Sequence, residues 1–168
     1  MFNMQLDAID LHILATLQDE GRISNLELSE KVFLSPSACL RRVRLLEEAG
    51  IIRRYSAVLD TDRLGLEVDV FVEVTMRRED MSWHEDFVET ISGFPEVVGC
   101  YIITGNASYL LRVKARDLKH YSAFVLEKLH KIPGVQDIRS NIVLQAIKET
   151  HALPTELLKD VAAGGRDS

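Results

Sequence analysis

The sequence predicts an α+β chain in two parts: a three-helix unit with a helix-turn-helix and a wing, then a ferredoxin-like βαββαβ unit. Three observations predict it. Two well-capped helical segments, within residues 24–49, are separated by a turn of only a few residues. A strict alternation of Val68, Val70, Val72, Val74 and Met76 opens the second half. An apolar-Pro-x-Val phrase then occurs twice, as Phe94-Pro95-Glu96-Val97 and Ile132-Pro133-Gly134-Val135, each time where a helix gives way to a strand.

The first helix is expected from the spacing of Leu6, Ile9, Ile13 and Leu17, with Asp7 near its start where a carboxylate favours the helix dipole, and it ends near Gly21. The second begins at Ser24, whose hydroxyl forms a capping box with Glu27, and runs to about Val32. Ser35 caps the third, with Pro36 at the first helical position where its missing N–H costs nothing, and Gly50 closes it. At about 100° per residue, Ser37, Arg41, Arg44 and Glu48 share one stripe of this helix. Cys39, Leu40, Val43 and Leu46 are read as the core face, with Arg42 beside it, positioned either for a phosphate or for a nearby carboxylate. Residues 51–59 are read as a short strand, a wing whose Arg53 and Arg54 reach backbone phosphates.

Charge and composition bound the rest. With 46% hydrophobic and 27% charged residues, the 168-residue chain has the make-up of a globular protein. Its net charge of −6 does not favour nucleic acid, yet Arg41, Arg42, Arg44, Arg53 and Arg54 face only Glu47 and Glu48 within residues 41–54. The positive charge is local. No run of about 18 apolar residues and no signal-like start occur, so the expectation is a cytoplasmic protein with no membrane association. Cys39 and Cys100 lie far apart in apolar-patterned segments and read as reduced core residues. His12, His84, His120, His130 and His151 show no metal-ligand spacing, and no metal, cofactor or catalytic constellation is expected. Asn106-Ala107-Ser108 matches a glycosylation acceptor only by chance, absent a secretion signal.

In the second half, a helix is expected from Ser82 to Ile91, strands at about 96–104 and 107–115, a longer helix from Leu118 using Tyr121, Val125, Leu129 and Ile132, and a last strand over about 135–147. The sheet face turned away from the helices carries Phe71, Leu110, Val143 and Ile147, an apolar set that predicts packing against a second copy. The domains are read as residues 1–60 with the helix-turn-helix at 24–49, a connection at 61–66, the ferredoxin-like domain at 67–150, and a frayed tail at 151–168.

These motifs resemble the Lrp/AsnC family of bacterial and archaeal transcription regulators. The resemblance is carried by the run from Leu6 to Leu17, the Gly21-Arg22-Ile23-Ser24 corner, and Leu34-Ser35-Pro36 to Cys39 with Arg42-Val43 and Leu46-Glu47; it extends over about residues 5–150. It implies a homodimer, assembling into tetramers or octamers, that binds double-stranded DNA and responds to a small effector, usually an amino acid. The DNA-binding residues it suggests are Ser24, Asn25, Ser35, Pro36, Ser37, Ala38, Arg41, Arg42, Arg44, Arg53 and Arg54. The effector-binding residues are Thr104, Gly105, Asn106, Ala107, Ser108, Tyr109 and Asn141.

Two departures from the family pattern stand out. The effector turn of the family reads Gly-x-x-Asp-Tyr, often with a second acid after the Gly, whereas here it is Gly105-Asn106-Ala107-Ser108-Tyr109, neutral at both carboxylate positions. The third helix has Arg41 where a well-known member has an acid and Leu45 where it has a base, so no target sequence carries over. Two other functions are open at this point: a haem-pathway decarboxylase, which shares the two-domain layout, and a metabolite-binding module without DNA binding.

Overall fold

The computed structural model describes residues 5–77 and 82–158. It divides into two compact units, one of residues up to Val58 together with those from Lys148, the other Leu59–Ile147.

In the first unit, α1 (Ala8–Asp19), α2 (Asn25–Lys31) and α3 (Pro36–Glu48) follow the predicted order. Their starts are set by side chains. Asp7 accepts from the amides of Ile9 and Asp10 while Asp10 accepts from Asp7 N–H; Ser24 and Glu27 exchange the same pair of bonds; Ser35 Oγ accepts from Ala38 N–H. Helix α3 ends on Gly50 at φ 71, the left-handed position that lets Ile51 N–H reach back to Leu46 O at 3.0 Å. Ile13, Leu28, Val32, Cys39 and Leu46 form the core between the helices. Leu40, expected in that core, is 38% exposed, because it lies about 100° round the helix from Cys39.

The turn between α2 and α3 contains an exception to ordinary backbone chemistry. Phe33 has φ 56 and is 89% exposed, so a bulky aromatic occupies a left-handed conformation and buries almost nothing. Its conformation costs about 1–2 kcal/mol that glycine does not incur. Phe33→Gly is therefore expected to raise the stability of this unit by about 1 kcal/mol, after the greater freedom of glycine in the unfolded chain is subtracted. Urea denaturation measures it.

Two sequence expectations fail in this unit. Residues 51–59 form no strand. A strand needs a hydrogen-bonding neighbour, and this unit offers none among the described residues. The tail is also not frayed throughout: Gln18 Nε2 donates to Leu153 O at 3.1 Å, Leu153 N–H donates to Gln18 Oε1 at 2.6 Å, and a 3-10 turn over Thr155–Leu158 packs against α1. The amide side chain of Gln18 thus serves as a backbone partner for the chain's end. Residues 159–168 of the expected tail lie outside the described residues.

The second unit is a four-stranded antiparallel sheet of β1 (Val68–Met76), β2 (Val97–Ile102), β3 (Tyr109–Ala115) and β4 (Val135–Ile142) in the order β2-β3-β1-β4, as a split βαβ pair requires. Helices α4 (Ser82–Ser92) and α5 (Leu118–Ala123) are the crossovers. Val70, Val72 and Val74 of β1 and Leu111 and Val113 of β3 are fully buried with Phe87 of α4. The predicted long helix is only partly regular: after α5 it continues as a π-turn over Phe124–Lys128 and a 3-10 turn over Leu129–Lys131. Even so, Tyr121, Leu129 and Ile132 are buried as expected. At its end Lys128 Nζ meets the buried Glu96 at 2.6 Å, tying this segment to the start of β2.

Strand β4 stops at Ile142 rather than 147, because Ile142 already pairs with Val70 and Val143 N–H takes Asp69 O at 2.9 Å, where β1 runs out. Ile147 therefore lies past the sheet, 86% exposed, and not on its open face. That face is mixed rather than apolar. Phe71 and Leu110 alternate along their strands with Asp69, Glu73, Arg112 and Lys114, and Asp69 is paired to Arg112 Nη2 at 2.7 Å and Lys114 Nζ at 2.9 Å. Burial raises the pKa of Asp69, but these two cations outweigh it and hold the carboxyl below its ordinary range.

Candidate nucleic-acid interface and effector turn

The two capped helices α2 and α3 are locked together by a side chain. Asn25 Nδ2 donates to Pro36 O at 2.9 Å, which fixes the start of α3 against α2. Ser24 and Ser35 are engaged as caps, and Ser35 Oγ also meets Ser37 Oγ at 3.3 Å. Ala38 is half-buried behind them, and Pro36 is exposed at the first helical turn. These residues shape the helix-turn-helix more than they project from it.

What projects is the predicted stripe. Ser37, Arg41, Arg44 and Glu48, with Leu40 and Leu45, line one concavity of about 260 Å³ along the exposed side of α3. Neither Arg41 nor Arg44 has an ion-pair partner among the described residues. Two unneutralised guanidiniums on the outer face of a rigid helix can fork onto guanine edges or phosphate oxygens.

Arg42 belongs elsewhere. Its Nη1 lies 2.7 Å from Asp10 Oδ1 and 2.8 Å from Asp7 Oδ2, and it is three-quarters buried. The Asp10 hydrogen bond leads in raising its pKa, against the opposing effect of burial. Of the two roles open to Arg42, a phosphate contact and a carboxylate pair, the structure shows the pair, which joins α3 to the start of α1. The signal was present in the sequence as the Asp7-x-x-Asp10 spacing, a capping box built from two aspartates whose inner carboxylate, only 3% exposed as a residue, demands a cation.

Arg53 and Arg54 sit on the irregular segment after Gly50, both exposed. That segment is anchored by Tyr55, whose hydroxyl donates to Glu47 Oε1 of α3 at 3.0 Å. Burial, and then the Glu47 carboxylate, push the phenol up to about 12, so it remains a donor at any physiological pH. The two arginines are therefore held near the C-terminal end of α3 without a strand.

The expected effector residues separate into two sets. Thr104, Gly105 and Asn106 are exposed, Gly105 at φ 118. Asn106 and Ala107 border a cavity of about 280 Å³ on the open sheet face, where Glu73, Thr75, Gln136, Asp137 and Arg139 complete the lining. Asn141 donates from Nδ2 to Glu73 Oε1 at 3.2 Å. Ser108 instead accepts from Met76 N–H at 3.1 Å and donates its own N–H to Val74 O, closing the end of β1. Tyr109 faces the core, 1% exposed, its ring centroid 4.5 Å from that of Phe87 at a 32° tilt and its hydroxyl 2.8 Å from His84 Nδ1. The structure thus brings Asn106, Ala107 and Asn141 around Glu73, and leaves Ser108 and Tyr109 facing away from the cavity. Cys39 is buried as expected, but Cys100 is exposed, since β2 is an edge strand.

Comparison with known proteins decides the assignment. Residues 6–53 match the model for winged helix-turn-helix DNA-binding domains, and residues 69–153 that for the Lrp/AsnC ligand binding domain. The chain belongs to the Lrp/AsnC family. It is a DNA-binding transcriptional regulator. The transcriptional regulator AzlB of Bacillus subtilis is 37% identical over 91% of this chain and 98% of its own length. The leucine-responsive regulatory protein of Escherichia coli K12 is 40% identical over 88% of this chain and 90% of that protein. A transcriptional regulator from Neisseria meningitidis, solved as its L-Met complex, superposes with a TM-score of 0.88 at 44% identity over 91% of this chain and 99% of that one. The two-domain layout is therefore that of Lrp/AsnC regulators, and the decarboxylase alternative finds no support in these relatives. No helix among the described residues is long and apolar enough to cross a membrane.

Proposed function

We propose that this Lrp/AsnC regulator acts in the cytoplasm as a homo-oligomer, controlling genes of amino-acid metabolism or transport in response to an amino acid. It is not an enzyme in this reading. The observation that carries the DNA-binding role is the outward pair Arg41 and Arg44 on a helix whose other face and N-terminus are fully engaged. Two-fold pairing through the sheet face that carries Phe71 and Leu110 puts two such helices into one molecule. Its symmetry matches a roughly palindromic site with half-sites one helical turn, or a multiple of it, apart. An effector that prefers one arrangement of the assembly shifts its population and so its occupancy of promoters.

Two measurements on the full chain test this reading. Sedimentation at micromolar concentration is expected to give a dimer or larger; a monomer contradicts it. Calorimetry against the twenty amino acids is expected to give heat for at least one, and silence for all of them removes the amino acid from the mechanism.

A further inference from the structure

The turn between α2 and α3 is held firmly, yet one of its side chains is left out of the fold. Val32 and Leu34 pack into or against the core of the first unit, and the backbone between them is pinned by Phe33 N–H to Glu30 O at 3.3 Å and Leu34 N–H to Ser29 O at 2.9 Å. The Phe33 ring itself is 89% exposed at φ 56, and no ring or cation among the described residues meets it. Glycine builds the same turn without the strain, so the ring contributes nothing to the turn that carries it. We propose that Phe33 is an apolar DNA contact, its ring meeting the 5-methyl group of a thymine in the major groove beside the bases that α3 reads. This rests on the reading that α3 docks on DNA through its arginine face.

Continuity with that face names the partner. Phe33 lies just before Ser35, the N-cap of α3, and the exposed residues Ser35, Pro36 and Ser37 lead from it to Arg41. In a docked helix-turn-helix the first residues of the second helix contact base edges while the first helix crosses the backbone, so the turn between them lies at the wall of the groove. The bond from Asn25 Nδ2 to Pro36 O at 2.9 Å keeps the start of α3 against α2. The ring therefore enters with the reading helix as one rigid piece.

Size argues against a second copy as the occupant. One aromatic side chain buries about 150–250 Å², whereas a stable protein interface needs about 800 Å² from each partner. As one contact within an interface already set by Arg41 and Arg44, the ring needs no such area. Chemistry then selects the base. A phenyl ring offers neither donor nor acceptor to a phosphate or a polar base edge, and the thymine 5-methyl is the apolar group that a base pair presents in the major groove. Such a contact displaces no counterion, so it leaves the salt dependence of binding as it is.

Anisotropy titrations of the full chain, on a duplex it selects from a random pool, test this. Phe33→Gly relieves the backbone, and Phe33→Asn keeps a side chain that tolerates the left-handed region, so a loss shared by both is not a loosened turn. Both are expected to bind about tenfold more weakly with the wild-type salt slope, Phe33→Gly while melting higher than the wild type. Replacing each thymine in turn by deoxyuridine removes only its methyl group. At one position in each half-site the wild type is expected to lose about fourfold, and the two variants nothing. Unchanged affinity in both variants, a reduced salt slope, or a deoxyuridine scan that is the same in variants and wild type overturns the proposal while the docking of α3 stands. Affinity that survives Arg41→Ala with Arg44→Ala overturns that docking and the proposal with it. Sedimentation of Phe33→Gly closes the remaining route: an assembly of wild-type size supports the DNA contact, and a smaller one assigns the ring to a second copy and overturns it.

Discussion

Arg41→Ala combined with Arg44→Ala is expected to lower affinity for duplex DNA by about two orders of magnitude, without loss of stability. Each arginine contact to a base edge or phosphate contributes about 1–3 kcal/mol, and 1.4 kcal/mol is a factor of ten. Both side chains are exposed and have no ion-pair partner among the described residues, so the folded protein loses nothing when they are shortened. Alanine is also the better helix former. Anisotropy titrations at about 50 and about 200 mM salt add a second reading: each lost phosphate contact reduces the salt slope by about 1, whereas a lost base contact relaxes sequence preference. Unchanged affinity at both salt concentrations excludes these two side chains from the interface.

Arg42→Ala is expected to do the reverse, costing the first unit about 3 kcal/mol while leaving DNA affinity within a few-fold at temperatures where the variant is folded. The reason is the group left behind. Asp10 is 4% exposed at its side chain, and removing the guanidinium at 2.7 Å strands a buried carboxylate. Breaking such a pair costs about 3–5 kcal/mol, and the low end applies because Arg42 is itself a quarter exposed. Asp10→Asn added to Arg42→Ala should recover part of the loss, since the stranded charge is then gone. The same network sets a pH dependence. Burial raises the pKa of Asp7, but the Asp10 amide and Arg42 outweigh it and hold the carboxyl below its ordinary value. A depressed folded pKa means that this contribution is complete at neutral pH and is lost as acid takes the pH down through the lowered value. In Arg42→Ala that acid sensitivity should shrink. Chemical denaturation across the acid range measures both effects.

Most of the fold was legible because it is written in local chemistry. Ser24 with Glu27, Ser35 with Pro36, and Gly50 each satisfy or end a helix through atoms only a few residues away, and the alternation from Val68 to Met76 has a single sheet face to bury. What was not legible depends on partners far along the chain. Whether residues 51–59 make a strand, and where β4 stops, are decided by the neighbouring strand available, not by the segment's own residues. The tail's attachment to Gln18 spans 135 positions and uses backbone atoms that carry no sequence signature. The π-turn after α5 likewise leaves the apolar spacing of Tyr121, Leu129 and Ile132 nearly intact while changing the helix that carries them.

The site was legible to a similar degree. The wheel placed Ser37, Arg41, Arg44 and Glu48 together, and the structure lines one concavity with them. The same wheel put Arg42 at the border, and only the buried Asp10 decides its side. At the effector turn, counting along the motif assigned Ser108 and Tyr109 to the ligand, but the pleat sends Tyr109 into the core and the end of β1 takes the Ser108 hydroxyl. Glu73 was invisible to motif reading, since it reaches the cavity by register across the sheet and accepts from an Asn141 that lies 68 positions away.

If α3 lays its arginine face in the major groove, guanine N7 on the bound duplex is protected from methylation. A duplex selected by the full-length protein from a random pool is methylated with dimethyl sulfate, free and bound, since guanine N7 lies in the major groove and adenine N3 in the minor. Protection is expected at guanine N7 in two half-sites one helical turn or a multiple apart, lost with Arg41→Ala and Arg44→Ala and kept with folded Arg42→Ala. Protection confined to adenine N3, or N7 protection that survives loss of both Arg41 and Arg44, would contradict it.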